Sequence, residues 1–396
     1  MSGAGPPGGT PNSAGHDPSA WCGVELSPGG SVWFDLTLTE SYSGSDVTAP
    51  VHVIRGEADG PALLVTAAVH GDEINGTGAI RRIIRERPFE LRRGTLVLVP
   101  VVNMVGFERH ARYLPDRRDL NRSFPGWSEG SLAGRMAWSF FHKIVERCDY
   151  CIDLHTAAVR RTNFPNVRAD MSDPRVAGLA RAFGAELIVN GRGPKGSLRR
   201  TACRAGCATL ILEAGEVWRV QPGALEYALR GIENCLIHLG MIGGQIERPA
   251  YQFETDTTKW VRAAQGGFLE FHVSPGQIVE AGEALATNTD LAGEQQSTIT
   301  SPRGAIVLGM TTMPAVAPGD PVCHLAFSKR GVLSRVGRVV GTLGEDSLHE
   351  QTRDDLARGM TITEPMDAEP TTAQTDGPDG RSPGDERGGG ALRNRT

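Results

Sequence analysis

The chain has 396 residues, with 41 Lys and Arg against 46 Asp and Glu, a formal net charge of −5 and 6 % aromatic residues. This charge balance excludes a strongly basic nucleic-acid-binding protein, so we expect no nucleic acid partner. No apolar run reaches the roughly 18 residues of a transmembrane helix, and the first residues lack the pattern of a secretory signal. We therefore expect no membrane partner and a cytoplasmic protein whose seven cysteines are reduced.

The elements predicted along the chain fall into four regions. Residues 1–20 are predicted to be a disordered leader, and residues 21–249 the first folded domain. Within that domain, residues 31–56 resemble strands, and near-continuous apolar runs predict strands buried on both faces at 62–68, 95–102, 150–154 and 208–214. Helical spacing of apolar residues predicts helices around 80–84, 131–144, 175–183 and 222–239. This alternation predicts an α/β fold with a mixed sheet flanked by helices.

The helical period disappears in residues 250–330, where short apolar runs are separated by Pro-Gly turns, which predicts a small all-β domain. This region resembles a lipoyl/biotinyl-type barrel-sandwich. Such carrier domains need a lysine at a hairpin tip, and the corresponding residues 309–313 contain none. We therefore predict a structural lid or assembly module, which permits a homo-oligomer. Residues 345–396 carry little apolar content and are predicted to be a disordered tail.

Two histidines and a glutamate stand where predicted buried strands end. His70 and Glu73 follow the strand at 62–68, and His155 follows the strand at 150–154. The carboxyl ends of strands in an α/β sheet line one crevice, and two His with one Glu is a common zinc ligand set. The three residues therefore predict a metal site, with a turn and a core histidine as the simpler alternative. Asp153 either accepts a hydrogen bond from a ligand histidine or points away.

Two further groups of polar residues follow predicted strands. Arg112, Asn121 and Arg122 lie in the region after the strand at 95–102, and a guanidinium suits a carboxylate or a polarised carbonyl. A solvated basic loop is the simpler alternative. Glu213 ends the strand at 208–214, where a glutamate needs a partner or a chemical task. A carboxylate beside a metal-activated water is the general base of hydrolysis.

Together these motifs resemble the succinylglutamate desuccinylase/aspartoacylase family, related to the zinc carboxypeptidases. The resemblance covers residues 45–240 and includes His70-x-x-Glu73, Asp-Leu-Asn121-Arg122-x-Phe-Pro-Gly, Asp-Leu-His155-Thr and Glu213-Ala-Gly. It implies a zinc carboxypeptidase-like catalytic domain at 21–249 that holds one Zn²⁺ per chain. The implied metal ligands are His70, Glu73 and His155, the implied catalytic residues Glu213 and Arg112, and the implied binding residues for a substrate carboxylate Asn121 and Arg122. Residues 157–170 depart from the family pattern, which leaves the acyl group and the amine open.

The predicted function is zinc-dependent hydrolysis of the amide, or ester, bond of a small N-acyl amino acid or related acylated amine. One alternative is a zinc carboxypeptidase or esterase with the same site, although a β lid over the site disfavours an open peptide groove. A second is a non-catalytic zinc-containing binding protein, which has no need of a base such as Glu213. A cysteine metal or redox site at 148–151 and 203–207 is disfavoured, because Cys151 lies inside a predicted buried strand.

Overall fold

The computed structural model describes residues 19–328 and 331–365. Its strands are β1 (Ala20–Trp21), β2 (Val24–Glu25), β3 (Ser31–Glu40), β4 (Asp46–Arg55), β5 (Ala58–Ala67), β6 (Arg93–Val99), β7 (Tyr150–His155), β8 (Arg161–Ala169), β9 (Leu187–Asn190), β10 (Ala208–Gly215), β11 (Phe253–Thr255), β12 (Thr258–Arg262), β13 (Gly267–Phe271), β14 (Ile278–Val279), β15 (Ala284–Thr289), β16 (Gln295–Thr300), β17 (Ala305–Thr311), β18 (Ala315–Val316) and β19 (Pro321–Phe327). Its helices are α1 (Asn75–Glu86), α2 (Met104–Glu108), α3 (Leu132–Lys143), α4 (Pro174–Phe183), α5 (Leu198–Arg204), α6 (Pro222–His238), α7 (Val332–Val340) and α8 (Leu348–Ala357). Two short 3₁₀ helices cover Leu120–Arg122 and Val145–Arg147.

A mixed sheet of 13 strands forms the framework. Its main path runs β12-β19-β17-β8-β10-β7-β5-β6-β4-β3. The four strands predicted from continuous apolar runs, β5, β6, β7 and β10, lie side by side and parallel at its centre. Their side chains are apolar on both faces because helices cover both sides of the sheet. The predicted α/β architecture is thus confirmed.

Two apolar cores flank this sheet. On one face, α1, α4 and α6 contribute buried residues such as Ile80, Leu179 and Ile232. On the other face, α3 and α5 contribute Phe140 and Leu198. Apolar residues three and four positions apart lie on one side of a helix, so each helix buries a single stripe against the strands.

Residues 253–327 form strands without helices, as the loss of helical spacing predicts. A four-stranded sheet, β16-β15-β13-β18, packs against part of the large sheet around a separate apolar core. This C-terminal β unit is not detached from the catalytic sheet, because β17 pairs antiparallel with β8. No sequence pattern indicates this pairing, since β8 lies in the polar segment 157–170.

The predicted ends need one correction. Of the predicted leader, residues 1–18 lie outside the described residues. The predicted disordered tail begins at 345, but α8 lies within it and packs against α6 and β8. Leu356 is buried there, His349 Nδ1 lies 2.7 Å from Glu186 Oε2, and Gly223 N donates to Asp355 Oδ2 at 2.9 Å. Polar contacts of this kind cannot be recognised from the apolar content of a sequence, which explains why this helix was predicted to be disordered. Residues 366–396 lie outside the described part.

Among the described residues, no helix combines the length and the apolar character that crossing a membrane requires.

Candidate active site

All seven residues singled out from the sequence line one cavity of about 260 Å³. They are His70, Glu73, Arg112, Asn121, Arg122, His155 and Glu213. The cavity lies where β5, β7 and β10 end, because parallel strands bring their carboxyl ends to one edge of a sheet. The register pairs Glu213 of β10 directly with His155 of β7. The expected convergence of these distant segments therefore occurs.

His70 and Glu73 lie in a tight turn between β5 and α1. Glu73 N donates to the His70 carbonyl at 3.1 Å, which closes the turn. Gly71 between them lies against α2, where a Cβ atom would stand only 1.9 Å from the Gly106 carbonyl carbon. A side chain at position 71 would therefore push this turn off its support, so glycine is required.

The three predicted metal ligands converge on one point. His70 Nδ1 lies 2.7 Å from Glu73 Oε1, and His155 Nδ1 lies 2.7 Å from Glu73 Oε2. One donor atom from each residue lies within 4.8 Å of the other two, and all three side chains are buried. Two imidazoles and a carboxylate are a donor set that suits a divalent transition metal such as zinc. The residues present therefore fit such an ion.

The outer nitrogen of each imidazole contacts an aspartate. His155 Nε2 lies 2.8 Å from Asp153 Oδ2, and Thr66 Oγ1 donates to the other oxygen of Asp153 at 2.7 Å. His70 Nε2 lies 3.1 Å from Asp119 Oδ1. Carboxylates in this position fix the ring orientation of metal-ligating histidines. Asp153 thus contacts a ligand histidine, which is one of its two predicted orientations. The contact between Asp119 and His70 was not predicted, because Asp119 lies in an irregular loop.

These contacts concentrate negative charge around the imidazoles. Burial alone raises the pKa of Glu73, but His70 and His155 more than offset it and hold that pKa well below its usual range. Burial likewise lowers the pKa of His155, yet Asp153 and Glu73 reverse the effect and raise it well above its usual value. The pocket therefore favours a positive charge between its carboxylates.

Arg112 reaches the same three-residue cluster from the side. Its Nη1 lies 3.2 Å from both Glu73 Oε1 and His70 Nδ1, and its Nη2 donates to Asp119 Oδ2 at 2.9 Å. The side-chain oxygen Oδ1 of Asn121 accepts a hydrogen bond from Leu198 N at 2.8 Å. This leaves its Nδ2 without a hydrogen bond to any residue that the structure describes.

Arg122 is half-exposed at the rim of the cavity. Its Nη1 donates to the Asn121 main-chain oxygen at 2.7 Å and lies 4.0 Å from Asp119 Oδ2. The side chain is fixed at one end only, so the rest of the guanidinium is accessible to a ligand.

Glu213 lines the cavity near the end of β10. Asn163 Nδ2 donates to its Oε2 at 3.1 Å, and Arg168 Nε lies 3.6 Å from its Oε1. Both partners belong to β8, in the segment that departs from the family pattern. The carboxylate is therefore oriented by neighbours that the sequence did not identify.

Further cavity residues were missed, among them Arg161, Arg168, Arg199, Trp260 and His324. Trp260 and His324 come from the C-terminal β unit and stack with ring centroids 4.8 Å apart. Burial, with Arg168 and Arg161 nearby, lowers the pKa of His324 to about 3, so its ring is neutral. In the sequence, the arginines of the motif Leu198-Arg-Arg and of the segment 157–170 resemble solvated basic residues. Only their burial in the structure distinguishes them from such residues.

Arg199 is the most deeply buried of the five cavity arginines. It is 6 % exposed, its Nε and Nη1 are buried, and its guanidinium makes no hydrogen bond or ion pair within residues 19–328 and 331–365. Burial, together with the neighbouring Arg168, lowers its pKa to about 10, which still leaves it charged at neutral pH. A buried, unpaired cation beside a cavity is a candidate contact for an anionic ligand.

The cysteines form no second metal site in the described residues. The group there that could hold a metal ion consists of His70, Glu73 and His155. Cys148 and Cys151 are buried, and burial raises the pKa of each thiol well above its usual value. They behave as small apolar core residues.

Comparisons with known proteins identify relatives of this chain. The sequence profile of the succinylglutamate desuccinylase/aspartoacylase catalytic domain matches residues 59–239. The N-alpha-acetyl-L-2,4-diaminobutyric acid deacetylase of Halomonas elongata is 28 % identical over 311 residues, which cover 75 % of this chain and 90 % of that protein.

Solved structures show the same architecture. A succinylglutamate desuccinylase/aspartoacylase from Rhodobacter sphaeroides superposes with a TM-score of 0.65 at 27 % identity and covers 75 % of this chain and 95 % of that one. The product-bound ectoine utilization protein EutE (DoeB) from Ruegeria pomeroyi shares the fold, with a TM-score of 0.67 at 23 % identity over 77 % of this chain and 97 % of that one. With a matching sequence profile and the same fold, residues 59–239 form a catalytic domain of the succinylglutamate desuccinylase/aspartoacylase family.

Proposed function

We propose that this protein is a zinc-dependent deacylase that hydrolyses the amide bond of a small N-acyl amino acid. The observation that carries the proposal is the convergence of a His-Glu-His donor set and a separate carboxylate, Glu213, on one cavity. The family match and the deacetylase activity in the name of the Halomonas relative support the reaction class.

His70, Glu73 and His155 would hold one zinc ion per chain. When bound, zinc supplies Lewis acidity, which lowers the pKa of a coordinated water and polarises the scissile carbonyl. Asp119 and Asp153 keep the two imidazoles oriented with Nδ1 towards Glu73, where they would be placed to hold the ion.

Glu213 is the proposed general base. Its side chain faces the cavity beside His155 and is only 16 % exposed, so bulk water competes little for its oxygens. It takes a proton from the attacking water and delivers it to the leaving nitrogen, which departs as an amine. Arg112 carries a permanent positive charge beside the metal ligands, where it stabilises the oxyanion that forms on the carbonyl oxygen.

Asn121 and Arg122 are proposed to bind the substrate carboxylate. Asn121 offers a free Nδ2 donor and Arg122 a partly free guanidinium, both beside the catalytic cluster. Holding a remote carboxylate orients the amide bond for attack, so binding energy there contributes to rate.

The charge of the cavity supports an anionic substrate. Five arginines line it, namely Arg112, Arg122, Arg161, Arg168 and Arg199, against the carboxylates of Glu73 and Glu213. The Halomonas relative is named for a diaminobutyric acid derivative, which carries an extra amine. Such an amine would meet like charge here, so the amino acid released by this protein is open to test.

The C-terminal β unit, residues 250–330, is proposed to be a barrel-sandwich that acts as a lid over the site. Trp260 and His324 reach the cavity from it, which supports a part in shaping the substrate entrance. All seven cysteines are free, as expected of the reducing cytoplasm that we propose as its location.

The decisive experiment measures release of free amine by the zinc-loaded protein from a panel of N-acetyl and N-succinyl amino acids, with 4-nitrophenyl acetate as an ester probe. In the Glu213→Gln variant we expect zinc content to stay at one per chain while kcat falls at least about 1,000-fold, because the carboxamide cannot accept the proton. Substantial residual turnover in this variant would remove Glu213 from the base role. A zinc-loaded protein that hydrolyses nothing in the panel would favour a binding protein.

A further inference from the structure

Asn163 stands at a junction between the catalytic sheet and the C-terminal β unit. It lies in β8 and is 5 % exposed. On one side its backbone pairs with Gly215 of β10, two residues after Glu213, and on the other with Gly309 of β17. A single row of cross-strand neighbours thus joins the strand of the proposed base to the C-terminal unit.

The side chain of Asn163 is fixed from both directions. Its Nδ2 donates to Glu213 Oε2 at 3.1 Å. Its Oδ1 lies over Gly309, where a Cβ atom would stand 2.4 Å away. Any larger residue at 309 would therefore occupy the place of the Asn163 amide.

We propose that Asn163 is a positioning residue for Glu213 and that Gly309 of the C-terminal β unit supplies the space that holds it in place. This inference rests on the proposed function, because it assigns Asn163 an effect only through the base. The C-terminal unit thereby takes part in the reaction without touching the reacting atoms.

The physical argument concerns the two oxygens of one carboxylate. A hydrogen bond to Oε2 restricts rotation of the Glu213 side chain and leaves Oε1 to accept the proton. The 3.6 Å separation between Arg168 Nε and Oε1 is an ion pair without a short hydrogen bond, so it constrains the angle less. Loss of the Asn163 contact should spread the carboxylate over several orientations, and only one of these faces the attacking water.

The test replaces the amide by an apolar group of similar shape. We expect Asn163→Leu to lower kcat by about 10- to 100-fold, the range that loss of a hydrogen bond to a charged group supports, with KM changed less than about threefold and zinc content unchanged. Rates are measured on 4-nitrophenyl acetate and on the N-acyl amino acid of the panel that is hydrolysed fastest. Thr162→Val is the matched control, because Thr162 is the adjacent buried residue and its hydroxyl has no partner among the described residues.

A double-mutant cycle separates positioning from a general structural effect. In the Glu213→Gln background, adding Asn163→Leu should lower kcat by no more than about twofold, because the group through which Asn163 acts is already disabled. Multiplicative losses, or an unchanged kcat in Asn163→Leu, would overturn the inference while leaving the proposed function standing. Full activity of Glu213→Gln would instead overturn the base assignment, and the inference with it.

Gly309→Ala probes the same contact from the C-terminal unit. We expect a loss of kcat in the same direction with zinc content retained. A Cβ at 309 would also stand 2.6 Å from the Thr162 carbonyl oxygen, so the melting temperature is measured alongside. A folded Gly309→Ala protein with normal kcat would show that Gly309 has no part in the positioning.

Discussion

The two sides of the cavity differ in how their polar groups are paired. On the metal side, defined here as His70, Glu73, His155, Asp119 and Asp153, the imidazole nitrogens and carboxylates contact one another at 2.7 to 3.1 Å. On the substrate side, defined as Arg161, Arg168, Arg199, Trp260 and His324, Arg199 and the ring of His324 make no hydrogen bond within the described residues. The metal side is organised before any substrate arrives, whereas the substrate side keeps donors free for one.

The largest effect is expected from breaking the metal side. His155→Ala removes one of three ligands and leaves the Glu73 carboxylate buried without one of its two closest partners. We expect zinc to be lost on dialysis and amine release to fall at least about 1,000-fold, because three protein ligands are the usual minimum for a catalytic zinc. Metal analysis of the dialysed protein and rates with added Zn²⁺ check this. Retention of one zinc per chain would contradict the ligand assignment.

A smaller effect on the metal side should follow from Asp119→Asn. The aspartate contacts His70 Nε2 and accepts from Arg112 Nη2, and an amide cannot accept with both of its polar atoms. We expect zinc affinity to fall about 10- to 100-fold, as for other carboxylates behind a ligand histidine. Competition with a chelating dye measures this. An unchanged affinity would mean that the metal side does not depend on its outer carboxylates.

On the substrate side, replacing Arg199 should stabilise the fold and at the same time weaken substrate binding. Arg199→Met keeps an unbranched side chain and removes a buried cation that forms no ion pair within the described residues. We expect the melting temperature to rise by about 2 to 4 °C and KM for the best carboxylate substrate to rise about 10-fold. Arg204→Met, on the exposed side of the same helix, is the control. A fall in stability with unchanged KM would show that Arg199 serves the fold.

The smallest effect on activity is expected at His52, whose ring is unpaired but lies outside the cavity. Within the described residues its two buried ring nitrogens have no hydrogen-bond partner, and the ring stacks on Trp33 with ring centroids 4.4 Å apart. Burial, followed by the nearby Arg87, lowers the pKa of His52 to about 4.

The unfolded state therefore binds a proton at His52 below about pH 6.5 while the native state stays neutral, so this residue reduces stability as pH falls from 7 towards 4. His52→Phe should lessen the loss of unfolding free energy between pH 7 and pH 5 by about 1 kcal/mol and leave amine release at pH 7 unchanged. Urea titrations at both pH values test this. A change in activity would show that unpaired groups outside the cavity also matter for function.

The three ligands of the metal side could be predicted from the sequence because they follow strands with continuous apolar runs, whereas Asp119 could not, since it lies in an irregular loop. The runs before His70, His155 and Glu213 identify central strands, and strand ends at one edge of a sheet meet. The substrate side could not be predicted in this way. Arg161 and Arg168 come from β8, whose polar sequence includes Pro165, and Arg199 comes from α5. Trp260 and His324 come from β12 and β19, which are connected to β8 only through β17. Pairing between strands more than 100 residues apart has no local pattern.

The same limit explains why α8 could not be predicted from the sequence. α8 has few apolar residues, and its place depends on partners such as Glu186 and Gly223, far away in sequence. Composition alone predicts how much surface a segment can bury, but it does not count the hydrogen bonds that a docked helix makes.

The hydrogen-bonded ladder that runs from β3 to β12 without a break has a practical meaning for shortened forms of this protein. A chain that ends near residue 249 would not be an intact enzyme that merely lacks a separate domain. It would strip β8 of its neighbour β17 and leave a row of unsatisfied backbone amides and carbonyls along Arg161–Thr162–Asn163, a surface ready to recruit strands from other molecules.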